Sequence, residues 1–284
     1  MSVKRLVRVA VSEMKILGID FTSAPGARKP ITCVEAELSG STLHFRSLLE
    51  WTDFHQFENA LEAPGPWIAG IDLPFGQSRT FIHNIGWPQT WAGYVTYVSN
   101  MTRQEFRATL DDYRQGRATG DKEHRRECDI RTGAISPQKL YGVPVGLMFF
   151  EGAPRILRSG ATIPGLQDGD PSRVVLEVYP GLLARKLLGR RTYKHDTRAR
   201  QTVDQLEARR SILEHLTTSG VRTSHLVEVE APASLAEDPS GDQLDALLCT
   251  VQTVWAWQQR TRGYGIPRDS DSLEGWIVDP GAAS

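Results

Sequence analysis

Lys15-Ile-Leu-Gly-Ile-Asp20 is a short apolar run that closes on an acid. A run of this length, ended by polar residues, reads as a buried strand. Immediately downstream, Ile31-Thr-Cys-Val-Glu-Ala-Glu-Leu38 and Thr42-Leu-His-Phe-Arg-Ser-Leu-Leu49 flank Ser39-Gly40-Ser41. A glycine between two strand-like runs predicts a tight turn, so the first 35 residues of this region read as a three-strand meander. Residues 52–62 follow with Phe54, Phe57 and Leu61 at helical spacing, and Thr52 or Asp53 is placed to cap them. Trp67-Ile-Ala-Gly-Ile-Asp72-Leu-Pro-Phe-Gly76 is a second apolar run closing on an acid, stopped by proline and glycine. A strand, after a helix, after a meander implies a mixed sheet in which the second acid-ended strand lies beside the first.

The rest of the chain extends this pattern. Residues 77–170 form a long, mostly helical insertion. Within it, Pro88 to about Asn100 reads as a helix, with Trp87, Trp91, Tyr94 and Val98 on one stripe that reads as packing rather than a platform for bases. Thr102 to Arg114 reads as a helix with a Thr102–Glu105 capping box. Prolines and glycines from 137 to 165 predict irregular backbone. Ser172-Arg-Val-Val-Leu-Glu177-Val-Tyr-Pro180 is a third strand with an acid near its end. Helices are expected from Gly181 to Leu188, over 197–219, and from Asp242 to Arg260, with a short strand over His225–Glu230. Residues 14–262 therefore make one α/β domain, with 263–284 as a polar tail.

Composition sets the class. The chain has 284 residues, 40% hydrophobic and 24% charged, as ordinary globular proteins do. Three scattered cysteines give neither a disulfide framework nor a zinc pair, so reduced thiols and a cytoplasmic location are the expectation. No apolar run is long enough to cross a bilayer, so no membrane partner is expected. The basic, mildly apolar first 14 residues make a poor signal peptide and read as a frayed extension. Net charge is −1, but unevenly spread. Residues 184–210 hold nine Arg/Lys against three Asp/Glu, and residues 221–245 hold one against six. A basic face beside an acidic pocket suits an enzyme that grips phosphates, and equally suits a solvated helix beside an acidic loop.

Chemistry follows from the acids. In open α/β sheets, ligands sit beyond the carboxyl ends of parallel strands, where Asp20, Asp72 and Glu177 stand. Asp242 and Asp245, three residues apart at a helix start, share a face. The plainer reading of that pair is a cap and an N-terminal charge. Clustered carboxylates repel one another and resist burial, and a hard cation such as magnesium or manganese relieves both. Two such ions could activate water and stabilise the leaving oxygen in phosphodiester hydrolysis. An acid on the first meander strand, an acid after the next helix and Asp-x-x-Asp on a late helix make the ribonuclease-H-like order.

Gly18-Ile-Asp20-Phe-Thr-Ser, Gly70-Ile-Asp72-Leu-Pro-Phe-Gly76, Arg125-Arg-Glu-Cys-Asp129, Glu177-Val-Tyr-Pro180 and Asp242-Gln-Leu-Asp245-Ala-Leu-Leu-Cys resemble the domain of unknown function 429 family (DUF429). The resemblance runs from about residue 15 to about 260. It implies a ribonuclease-H-like fold and a predicted nuclease activity. The last motif also resembles the Asp-x-x-Asp-Ala-Leu helix of RuvC-type junction resolvases, which implies Asp20, Asp72, Asp242 and Asp245 as ligands of magnesium or manganese. Asp20 with Asp242 or Asp245 would hold one ion, and Asp72 would be shared or hold a second. Glu177 is carried as a further catalytic acid without a resolvase counterpart.

Supporting residues complete the expectation. Arg125 and Arg126 in the insertion could grip a scissile phosphate, or form a surface ion-pair patch. Lys194 and Arg198 could neutralise charge or position phosphate. The expected function is a metal-dependent phosphodiester hydrolase, a nuclease with nucleic acid as its partner. Two rivals differ in class. An actin-like or sugar-kinase-type phosphotransferase shares the topology, but Phe21 and Thr22 offer no glycine for close approach to phosphate. A non-catalytic binding module would keep the fold and hold no metal.

Overall fold

A computed structural model describes residues 14–195, 197–218 and 227–281. The basic extension before Met14, and His225 and Leu226 of the expected late strand, lie outside the described residues. So does the side chain of Arg198.

The sheet is built first by β1 (Met14–Asp20), β2 (Ile31–Ser39) and β3 (Thr42–Trp51), an antiparallel meander. Helix α1 (Phe54–Glu62) follows, capped by the Asp53 side chain on the Gln56 amide. Strand β4 (Trp67–Asp72) then pairs parallel to β1, with Asp20 opposite Asp72. The insertion holds α2 (Arg79–Ile85), α3 (Trp91–Ser99), α4 (Arg103–Arg114), α5 (Glu127–Thr132) and α6 (Val145–Arg158). After it come β5 (Ala161–Thr162), β6 (Asp170–Glu177), α7 (Pro180–Leu188), α8 (Val203–Thr217), β7 (Glu228–Glu230) and α9 (Asp242–Gln258). The seven strands run β5-β6-β4-β1-β2-β3-β7, a meander continued by parallel strands. This is the ribonuclease-H-like mixed sheet, with helices on both faces.

Strand parity sorts the core. Leu17 and Ile19 of β1, with Phe21 just beyond it, face one layer, formed with α1 and the insertion helices. Ile16 of β1, with Ile68 of β4, faces the other, formed with α7, α8 and α9. The aromatic stripe of the insertion is packing: Trp91, Tyr94 and Val98 are buried in the first layer, and the Trp91 indole donates to the Phe75 carbonyl at 2.7 Å. Thr102 and Glu105 form the expected capping box.

Two expectations fail here. The stretch expected to be irregular contains α6, a 14-residue helix with Pro154 inside it. Its glycine at 152 is a packing residue rather than a break, since a Cβ there would lie 2.4 Å from a Leu73 methyl. The polar tail is also no tail up to residue 281. Leu273, Trp276, Ile277 and Val278 are buried, and the Val278 amide donates to the Glu177 carbonyl at 3.0 Å. Tyr94 donates its hydroxyl to the Leu273 carbonyl at 2.7 Å, which ties this strap to the insertion.

Candidate metal centre

Two glycines place the site. Gly18 of β1 is paired with Gly70 of β4, and both lie under α9. A Cβ at Gly18 would stand 2.3 Å from the Ala246 carbonyl oxygen, and one at Gly70 would stand 1.9 Å from the Thr253 hydroxyl. The bare backbone lets α9 rest directly on the two central strands. Two residues on, with the same parity, Asp20 and Asp72 end those strands on the α9 face. The helix begins at Asp242, so Asp242 and Asp245 arrive at the same end of the sheet.

Four carboxylates thus converge. Asp20, Asp242 and Asp245 are buried, and Asp72 keeps part of its surface open. Burial raises the proton affinity of Asp20 well above the carboxylate range, and Asp242, Asp245 and Asp72 add to it while Lys194 opposes. Burial, then Asp245, pushes Asp72 up to about 7. Burial also raises Asp245, against the pull of Lys194.

Two ammonium groups answer them. The Lys29 ammonium lies 3.3 Å from Asp242 and is half exposed. Lys194 forms a tight ion pair with Asp245, and the Tyr193 hydroxyl donates to the other Asp245 oxygen at 2.7 Å. Burial works against the Lys194 charge, but Asp245 and Asp20 more than offset it. Lys194 therefore stands inside the acid cluster. Among the described residues, the carboxylates of Asp20 and Asp72 accept no hydrogen bond and join no ion pair. With all groups ionised, four carboxylates face two ammonium groups, an excess of two negative charges.

These residues fit a divalent cation in donor chemistry and in charge. Among the described residues, no three His, Cys, Asp or Glu side chains are placed to hold a metal ion together. Magnesium does not need three, since it takes one or two carboxylates and fills its shell with water and substrate phosphate.

Glu177 and Arg126 are not part of this cluster. Glu177 pairs with Ile71, one position before Asp72, so parity turns its side chain to the opposite face of the sheet. There it meets Arg126 at 2.5 Å and accepts the Phe75 amide at 3.0 Å. A guanidinium has five N–H donors. Those of Arg126 go to Asp129 (Oδ1 and Oδ2), Glu177 (Oε1 and Oε2) and the Glu274 carbonyl. The expected phosphate grip by Arg126 is therefore corrected: the group is buried and saturated, and it holds the insertion and the C-terminal strap to β6. Arg125 is exposed beside it. Arg198 opens a one-turn helix over Arg198–Arg200.

Sequence reasoning missed Lys29 and Tyr193 as neighbours of the acids. Tyr193 carried a usable signal, as the residue before Lys194. Lys29 sits in a loop between β1 and β2 and carried none. An adjoining cavity of about 320 Å³ was missed as well. It opens beside Asp72, Lys194 and Asp245 and runs between Pro74, Val143 and Met148.

Among the described residues, no helix is long and apolar enough to cross a membrane. Comparison with curated proteins and with solved structures gives no match. The model of the family described as protein of unknown function (DUF429) matches residues 18–271. That span takes in both glycine–isoleucine–aspartate strand ends and the helix that closes over them, and the chain belongs to the DUF429 family.

Proposed function

We propose that this protein is a divalent-metal-dependent phosphodiester hydrolase that acts on nucleic acid. One observation carries the reading: Asp20 and Asp72 stand side by side at the ends of parallel strands, with no hydrogen bond or ion pair to their carboxylates among the described residues. Two carboxylates held side by side repel each other, and a bound cation relieves that cost. Asp20 and Asp72 would supply the carboxylates for magnesium or manganese, with Asp242 and Asp245 beside them. When bound, the ion supplies a Lewis acid for the phosphodiester and its attacking water.

The remaining work falls to the chain. Lys194 is a fixed positive charge next to the carboxylates and can stabilise charge that develops on a phosphate oxygen. Tyr193 holds Asp245 in place by its hydroxyl. An excess of two negative charges is balanced by one divalent ion, so the residues favour one ion plus Lys194 over two ions.

The test is substitution of the acids with their amides. Asp20→Asn and Asp245→Asn abolish manganese-dependent cleavage of a generic phosphodiester and of oligonucleotides, with unchanged circular dichroism. Wild-type activity in both variants refutes the assignment.

A further inference from the structure

We infer that the cavity beside the acids receives one unpaired nucleobase of the substrate, next to the phosphodiester to be cut. This rests on the hydrolase reading and names the substrate class for it.

The cavity and the acid cluster share a wall. Asp72, Lys194 and Asp245 line both, so a ligand in the cavity lies against the chemistry. The volume, about 320 Å³, is at the lower end of ligand clefts, which run roughly 300–1,000 Å³. It is large enough to admit a nucleobase. Its sides are aliphatic: Pro74 follows β4, and Val143 and Met148 come from the start of α6 and the loop before it. Ile135 and Val143 at the mouth are 40% and 49% exposed. Aliphatic side chains at the rim of a concave site suit an apolar ligand face.

The inner end is polar and rich in acceptors. Glu177 and Asp129 line it, and Glu177 Oε1 accepts a single hydrogen bond, from Arg126. That oxygen has capacity for a donor on the ligand. A nucleobase has this combination: an apolar face and an edge with N–H donors. Enzymes that hold a single base do so by apolar sandwiching and edge hydrogen bonds, and an unpaired base enters at least cost. A paired duplex cannot present this group without opening.

Two experiments test the assignment, one without catalysis. In the first, adenosine and cytidine 5′-monophosphate are titrated against the metal-free protein, with ribose 5-phosphate as the base-less control. The nucleotides are expected to bind at least tenfold more tightly, and Val143→Trp, which fills the mouth, to remove the difference. Val143 is half exposed, so this variant is expected to fold; Ile135→Asp is the second variant should it not. In the second, single-stranded 20-residue oligonucleotides carry one abasic residue at successive positions and are cut with manganese. Cleavage is expected to fall at least tenfold when the abasic residue lies at one position flanking the cut, and the matching duplex to be cut more slowly.

Equal binding of nucleotides and ribose 5-phosphate, together with a flat abasic scan, overturns the proposal. Preferential nucleotide binding without any oligonucleotide cleavage keeps the base site and overturns the hydrolase reading. An abasic-sensitive position without mononucleotide preference supports the site and assigns it to nucleic acid rather than to free nucleotides.

Discussion

Replacing Asp72 with asparagine is expected to make the metal-free protein more stable at alkaline pH while abolishing its activity. In the folded protein, burial and the nearby Asp245 hold the Asp72 proton up to about pH 7. An unfolded aspartate releases its proton near 3.9. Between these values the folded state binds a proton that the unfolded state does not. Stability is therefore fully present below about pH 4, and falls as pH rises to about 7. Each pH unit corresponds to about 1.4 kcal/mol, so the whole window amounts to about 4 kcal/mol. Asp72 keeps part of its surface on the cleft, where water screens it, so roughly half of this, about 2 kcal/mol, is the working figure. Asparagine has nearly the same shape and carries no charge to bury. The assay is urea unfolding of both proteins in chelator at pH 4.5, 6, 7 and 8. The curves should coincide at pH 4.5 and separate by about 2 kcal/mol in favour of Asp72→Asn at pH 8. Millimolar magnesium should then raise wild type and leave the variant unmoved, because only a ligand of the folded state stabilises it. A variant less stable than wild type at pH 8, or a gap that does not change with pH, refutes this account of the site.

Three further outcomes follow from the packing and the ion pairs. Arg126→Met leaves Glu177 and Asp129 buried without their partner and should cost about 3–5 kcal/mol in urea unfolding. Arg126→Lys should not restore it, since an ammonium cannot supply the same five-donor fork. Gly18→Ala should destabilise more than Gly70→Ala, with both at about 1–3 kcal/mol or above in thermal unfolding. At Gly18 two of the three nearest atoms are backbone of α9, whereas at Gly70 the two nearest are side-chain atoms that can move. Lys194→Met removes the ammonium that faces Asp245, so the metal-free variant should unfold at lower urea at pH 8 than wild type. The difference should shrink toward pH 4.5, as Asp245 and its neighbours take up protons.

The sheet was legible because its strands are separate apolar runs with clear stops. The order of acids along them was legible for the same reason. Which acid faces which side was also written in the sequence, through parity. Gly18 and Asp20 differ by two, as do Gly70 and Asp72, so each acid shares the face of its glycine. The position of Glu177 depends instead on register against β4, which only the paired strand supplies: Glu177 meets Ile71, not Asp72. The α6 helix was hidden by Pro154, Gly146 and Gly152, residues that usually punctuate. There they serve close packing, with Gly146 and Gly152 each against a leucine, Leu140 and Leu73. The strap over 271–278 reads as polar because its Asp, Ser and Gly residues form turns. Its four buried apolar side chains are too few and too irregular to announce a strand or helix.

The two ionic groups at this end of the sheet separate structure from chemistry. On one face, Arg126 spends every donor, and the Glu177 and Asp129 carboxylates accept from it and from backbone amides. Such a group supplies its own counter-charge, and it locks an insertion and a strap to a strand. On the other face, Lys194 and Lys29 answer only half of the charge, and the carboxylates of Asp20 and Asp72 accept nothing among the described residues. A fold under selection for stability alone would replace such a pair with neutral groups, since adjacent uncompensated carboxylates repel one another. The same strand ends carry both groups, one residue apart in register. The difference that matters between them is whether the chain supplies its own counter-charge. Where it does, the residues hold the fold. Where it does not, the missing positive charge has to come from what binds.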